Sequence, residues 1–139
     1  MITTHRRKDR PLEWFLAGFS CVWGVAVMGA PGVVALAPHE LTVEALGTPR
    51  LVVMSALLGI AQMIALLVNG TAAWTPFARL LTTAANAGFF AWVAGITLQL
   101  HDVGPSALIY GYTALGFVWS AWVAGEDAAR MRLGTYGLD

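Results

Sequence analysis

Charged residues are scarce in this sequence. Only 12% of its 139 residues are Asp, Glu, Lys or Arg, whereas a soluble domain averages about a quarter. Eight cations balance eight anions, so the net charge gives no reason to expect nucleic acid or a strongly acidic partner. Cysteine is almost absent as well: Cys21 stands alone, which excludes a disulfide within one chain.

Four long uncharged runs occupy most of the chain. Each has about 18 to 22 residues, enough for a helix to cross a hydrocarbon core of roughly 30 Å. None alternates with a period of two, which argues against an outer-membrane barrel, and four buried helices of a soluble protein would leave nothing to cover them. The sequence predicts an all-α membrane protein, a bundle of four transmembrane helices. The predicted spans are 14–34, 51–68, 77–98 (with Arg79 at its start) and 107–124.

The Lys and Arg residues predict the orientation of the bundle. If the N-terminus is inside, seven of the eight cations lie in the cytoplasm and only Arg50 lies outside, as the positive-inside rule requires. We therefore predict a bacterial inner-membrane protein with both termini in the cytoplasm. Segment 1–13 is then a basic cytoplasmic arm, 35–50 an outer loop, and 125–139 a cytoplasmic helical extension and tail.

The basic arm is expected to meet the membrane surface. Attraction between cations and anionic lipid is worth about 1 kcal/mol per residue near the surface, and Glu13 is expected to pair locally with Arg10. The predicted headgroup contacts are Arg6, Arg7, Lys8 and Arg10.

The loop after the second run has two readings. Asn69-Gly70-Thr71 has the form of an N-glycosylation site, which would place it outside the cell. The same residues resemble a helix stop, followed by a helix start in which Thr75 is the N-cap and Pro76 the first helical residue. The predicted orientation puts this loop in the cytoplasm, which favours a plain hairpin.

The N-terminal run also has a rival interpretation. A basic segment, an apolar stretch and Ala35-Leu36-Ala37 resemble a secretory signal with its cleavage site. The apolar stretch is longer than a typical signal and contains Trp14 and Trp23. We therefore favour a retained span.

Ionisable residues are missing from the centres of all four spans. Ion-coupled transporters and proton pumps need such groups, so these classes are disfavoured, and mid-span histidines for haem are lacking too. No catalytic residue, metal site or cofactor is predicted. The acidic and histidine side chains of the outer loops have no metal-ligand spacing and are interpreted as solvated; they are His39, Glu40, Glu44, His101 and Asp102.

Two amides lie inside the spans. Gln62 and Asn86 fall at similar distances from the hairpin and can therefore meet, and Gln62 shares a helical face with Ser55 and Gly59. An interhelical amide hydrogen bond contributes about 0.6 to 2 kcal/mol. A structural polar clasp is the preferred interpretation; the lining of a water path is the alternative.

Small residues at helical spacing supply a second packing signal. They allow close approach of helices in a membrane, either within one protomer or between protomers. The predicted packing residues are Ser20 and Gly24 in the first span, Ala84, Gly88 and Gly95 in the third, and Gly116 and Ser120 in the fourth.

The hairpin "ALLVNGTAAWTPFARLL" with its flanking spans resembles small four-helix membrane proteins encoded in phage and prophage genomes. The resemblance covers about a third of the chain and carries over no catalytic residue. It implies either a holin-like lysis pore or a small structural or accessory subunit. The C-terminal tail lacks the dense charge cluster that holins often have.

The expected function follows from the lack of ionisable, catalytic and cofactor-binding residues inside the spans. We expect a non-enzymatic protein that acts through assembly, as an accessory or self-assembling subunit of a membrane complex. One alternative is a passive, holin-like pore, in which Gln62 or Asn86 would face a lumen. A second is a subunit that carries haem or quinone, with His39 or His101 as ligands. The expected partners are the lipid bilayer and further copies of the chain or a larger complex.

Overall fold

Four helices make up the part of the chain that the structure describes. The computed structural model describes residues 10–29, 48–68, 74–100 and 105–132. These residues contain no strand, so the all-α prediction is confirmed for them. The helices are α1 (Pro11–Gly29), α2 (Thr48–Leu67), α3 (Thr75–Leu100) and α4 (Pro105–Arg132).

Three of these helices are long and apolar enough to cross a membrane. The qualifying stretches are Pro49–Leu67, Thr75–Gln99 and Ala107–Arg130. The apolar part of α1, Pro11–Ala26, is shorter, and the rest of the predicted first span lies largely outside the described residues. α4 continues beyond the predicted end of the fourth span as far as Arg132.

A proline lies in the first or second position of every helix, namely Pro11, Pro49, Pro76 and Pro105. Proline is well suited to a first turn because the missing N–H has no helical acceptor there. At the start of α3, the carbonyl of Trp74 accepts hydrogen bonds from the amides of Phe77 and Ala78, both at 3.1 Å. Trp74 is therefore the N-cap, one residue earlier than predicted. The predicted helix stop at Asn69-Gly70 lies outside the described residues.

The helices run alternately up and down. α1 packs on α2 and α4, α3 packs on α2 and α4, and α1 and α3 lie parallel across the bundle. The contacts that fix these directions are Glu13–Arg79 and Ser20–Asn86 between α1 and α3, Arg79–Asp127 and Phe90–Phe117 between α3 and α4, and Gly24–Val52 and Gly18–Met63 between α1 and α2.

The interior divides into three zones along the bundle axis. An ion-pair cluster (Arg10, Glu13, Arg79 and Asp127) lies where α1 and α3 begin and α4 ends. A polar layer (Ser20, Ser55, Gln62 and Asn86) follows near the middle. An aromatic layer fills the bundle towards the other end and comprises Phe19, Trp23, Phe89, Phe90, Tyr110 and Phe117.

Candidate functional site

The ion-pair cluster joins three helices through two arginines and two carboxylates. Arg79 donates to Glu13 from Nη2 at 2.9 Å and from Nε at 3.2 Å, and Arg10 donates to the same carboxylate at 3.0 Å. Asp127 accepts from Arg10 at 2.6 Å and from Arg79 at 3.1 Å. Each carboxylate thus contacts both guanidiniums, and the formal charges of the cluster cancel.

Burial differs across the cluster. The side chains of Arg79 and Glu13 are 1% and 6% exposed, whereas those of Arg10 and Asp127 are 18% and 20% exposed. Glu13 precedes the predicted first span. Burial raises the pKa of the Glu13 carboxyl from 4.5 to about 7, while the guanidinium of Arg10 opposes this rise and the carboxylate of Asp127 adds to it. Glu13 can therefore take up a proton near neutral pH, and loss of a guanidinium would raise its pKa further.

The sequence predicted only one contact of this cluster, the one between Arg10 and Glu13. Arg10 and Glu13, expected to pair locally, are in contact, but Arg79 was counted only as a cation that sets the orientation, and Asp127 was not singled out. The contacts could have been anticipated from the predicted topology. Glu13, Arg79 and Asp127 all lie close to the predicted cytoplasmic ends of their spans, where their side chains can meet. The other three predicted headgroup contacts, Arg6, Arg7 and Lys8, lie outside the described residues.

Asn86 is the centre of the polar layer. Its Nδ2 lies 3.0 Å from Gln62 Oε1, 2.9 Å from the carbonyl of Thr82 and 3.3 Å from the carbonyl of Leu58. Its Oδ1 accepts a hydrogen bond from the Ser20 hydroxyl at 2.9 Å. The structure thus brings together the two amides that the sequence placed at one depth, and it adds Ser20 from α1.

Two serines extend this network between α1 and α2. The Ser55 hydroxyl donates to the carbonyl of Ser20 at 2.5 Å, and the Ser20 hydroxyl lies 3.1 Å from the carbonyl of Ser55. All four side chains of the polar layer are fully buried. Because an unpaired polar group in hydrocarbon costs several kcal/mol, the network favours one mutual register of α1, α2 and α3.

Glycine allows α1 and α2 to approach closely. A Cβ on Gly59 would lie 2.8 Å from the carbonyl oxygen of Ala17 and 2.5 Å from the Cys21 sulfur, and a Cβ on Gly24 would lie 3.0 Å from the carbonyl oxygen of Val52. Backbone atoms cannot move aside as a flexible side chain can, so any larger residue at position 59 must push the helices apart.

Gly59→Ala is therefore expected to lower the free energy of unfolding by about 2 kcal/mol through overpacking. The matched control is Gly88→Ala on α3, where no described atom lies within 4 Å of the added methyl group. The control should keep or slightly raise stability, because alanine is the better helix former. Unfolding of both variants by SDS titration in mixed micelles measures the difference, and equal stability would contradict the close approach.

The other predicted small residues fall on different faces. A Cβ on Gly116 would lie 3.4 Å from the Leu16 side chain, and Ser120 is buried. Ala84 and Gly88 are exposed, and Gly95 is half-buried; a Cβ on Gly88 or Gly95 would meet no described atom within 4 Å. The small-residue face of α3 therefore points away from the other described helices of the chain, while that of α1 packs against α2.

The aromatic layer closes the bundle axis beyond the polar layer. Phe90 and Phe117 are fully buried and stack at 5.6 Å with an angle of 9° between their planes. Trp23 makes edge contacts with Phe89 and Phe90, and its indole N–H donates to the Tyr110 hydroxyl at 3.2 Å. Within the described residues, the axis of the bundle is thus filled at this level.

A shallow apolar groove runs along the outer seam between α2 and α3. Its volume is about 420 Å³, and it is lined by Met54, Leu58, Ala85, Phe89 and Trp92. It presents almost no polar atom, so it offers packing space but no group that could do chemistry.

Nothing in the described part of the chain gathers three or more metal-ligating side chains, and His39 and His101 lie outside that part. No protein-family model, no curated protein and no solved structure matches this chain.

Proposed function

We propose that this chain is a four-span protein of the bacterial inner membrane with both termini in the cytoplasm. On this proposal it acts without catalysis, as a self-assembling or accessory subunit of a membrane complex. The distribution of Lys and Arg supports the orientation. The up-down-up-down packing supports placing both termini on one side of the membrane, because the starts of α1 and α3 and the end of α4 lie together at the ion-pair cluster.

The outward small-residue face of α3 is the observation that carries the assembly proposal. Helices associate in membranes where small residues let backbones approach. Gly24 and Gly59 allow this close approach between α1 and α2 of one chain. A Cβ on Gly88 or Gly95 would meet open space on the outside of α3. A second transmembrane helix can therefore approach α3 closely on this face.

The interior of the protomer supports assembly over conduction through a single copy. Gln62 and Asn86 are fully buried and bonded to each other, so they face the protomer's own core. Phe90 and Phe117 pack across the axis.

Gly88→Leu tests the proposal. A leucine on this face blocks close approach of a neighbouring helix, so we expect the association constant in membranes to fall at least about tenfold, equivalent to about 1.4 kcal/mol. Native mass spectrometry after gentle detergent extraction measures the fraction assembled. The matched control is Gly111→Leu on α4, where a Cβ also meets no described atom within 4 Å; it should leave assembly unchanged.

Several outcomes decide the matter. Loss of assembly only in the Gly88 variant, with unchanged helical content, supports the proposal, whether the lost partner is a second copy or another protein. A wild-type chain that is monomeric in both detergent and bilayers, with no co-purified partner, overturns it. Equal assembly of both variants overturns the role of α3.

A further inference from the structure

Two polar atoms in the centre of the bundle lack a hydrogen-bond partner among the described residues. They are Nε2 of Gln62 and Oγ of Ser120. The Gln62 side chain is 0% exposed and Ser120 is 2% exposed. Gln62 uses its oxygen to accept from Asn86, so two amide hydrogens remain on its nitrogen.

The two atoms lie at about the same depth. Arg79 contacts Asp127, and Phe90 contacts Phe117, so the antiparallel register of α3 and α4 sets Ser120 level with Asn86. Asn86 in turn contacts Gln62. All four helices thus contribute a buried polar side chain to this level of the bundle.

Water is the ligand that suits both atoms. A primary amide nitrogen only donates, whereas a hydroxyl both donates and accepts. A water molecule can do both, and buried waters typically satisfy such otherwise unpaired groups through about three hydrogen bonds each. Hydrocarbon can satisfy neither atom.

The polar interior reaches this level from one end only. Arg10 and Asp127 are partly exposed, so the ion-pair cluster meets solvent. From there the inward residues of α3 are polar as far as Asn86: Thr83 donates to the carbonyl of Arg79 at 2.6 Å. One turn after Asn86 the inward residue is Phe90, which belongs to the aromatic layer.

We propose that the polar layer is an internal hydration site, in which water entering from the end with the ion-pair cluster binds Gln62 Nε2 and Ser120 Oγ and stops at the aromatic layer. The bundle then has a hydrated half and a dry half, with the boundary between Asn86 and Phe90.

Water-edited solid-state NMR of the unmodified protein in bilayers tests this directly. Magnetisation passes from water to nearby side chains, and its build-up rate reports their hydration. Phe90 is the first control, because it is as buried as Asn86 and closer to the far end of α3. Thr83 and Thr97 form a second matched pair: both are buried, and each donates to the carbonyl four residues earlier.

We expect the signals of Gln62, Ser120 and Asn86 to build up several-fold faster than that of Phe90, and Thr83 to build up faster than Thr97. Uniformly slow build-up would show a dry core and overturn the proposal. Build-up at Phe90 as fast as at Asn86 would show water crossing the aromatic layer and would equally overturn the one-sided site.

Discussion

Replacing Glu13 with glutamine is expected to lower the free energy of unfolding by about 1 to 3 kcal/mol, because an amide has one acceptor oxygen and cannot accept from both guanidiniums with two oxygens as the carboxylate does. Arg79 is 1% exposed, and among the described residues Asp127 is the anionic partner that it would keep. Its guanidinium cannot lose its proton, so an uncompensated charge would stay buried. SDS-titration unfolding in bicelles measures the change.

Arg79→Gln is expected to lower the free energy of unfolding less at low pH than at high pH, because the Glu13 carboxylate that loses its partner can become neutral by taking up a proton. The pKa of Glu13 is raised by burial to about 7 from 4.5. A group whose folded-state pKa exceeds its unfolded value favours the folded state most below the unfolded pKa, and this contribution is lost as the pH rises through the folded pKa. Loss of the Arg79 guanidinium moves the pKa of Glu13 further up, so the stability deficit of the variant relative to wild type should grow as the pH rises above about 7.

Two controls separate the ion-pair cluster from general damage. Asp127→Asn changes a carboxylate that is 20% exposed and should cost only about 1 kcal/mol. The double variant Glu13→Gln with Arg79→Gln removes one charge of each sign and leaves Arg10 facing Asp127. It should recover part of the stability that either single change removes. A double variant as unstable as the sum of its single changes would contradict direct pairing.

Much of the helical architecture was predictable because it depends on local signals. Long uncharged runs mark α2, α3 and α4, and prolines such as Pro76 and Pro105 mark where helices begin. The Trp74 N-cap differs from the predicted one by a single residue, which reflects the small energetic difference between neighbouring start sites. The depth of Gln62 and Asn86 could be counted from the hairpin, since a helix rises about 1.5 Å per residue.

The sequence was less informative wherever a side chain's direction around its helix mattered. Small residues recur on several faces, so spacing could not separate Gly24, which faces α2, from Gly88, which faces outwards. The ion-pair cluster was missed for a different reason. The positive-inside rule uses the position of Arg79 along the chain, whereas its contacts with Glu13 and Asp127 depend on the packing of three helices.

The second large effect is expected at Asn86. Changing Asn86 to leucine removes contacts with Gln62, Ser20 and two backbone carbonyls. An unsatisfied buried group costs about 1 to 3 kcal/mol, so stranding Gln62 Oε1 and disrupting the serine network should lower the free energy of unfolding by about 3 kcal/mol. Gln99→Leu, an exposed amide on the same helix, should stay within about 0.5 kcal/mol of wild type.

Gln62→Leu should be the milder change, although the two amides contact each other. Gln62 makes one hydrogen bond within the described residues, and its nitrogen has no partner among them, so the leucine change breaks fewer hydrogen bonds within the protein than the change at Asn86. The double variant should lose less stability than the sum of the two single changes, with a coupling above about 0.5 kcal/mol. Equal losses for Gln62→Leu and Asn86→Leu, with strict additivity, would mean that their shared bond contributes little and that packing alone aligns α2 with α3.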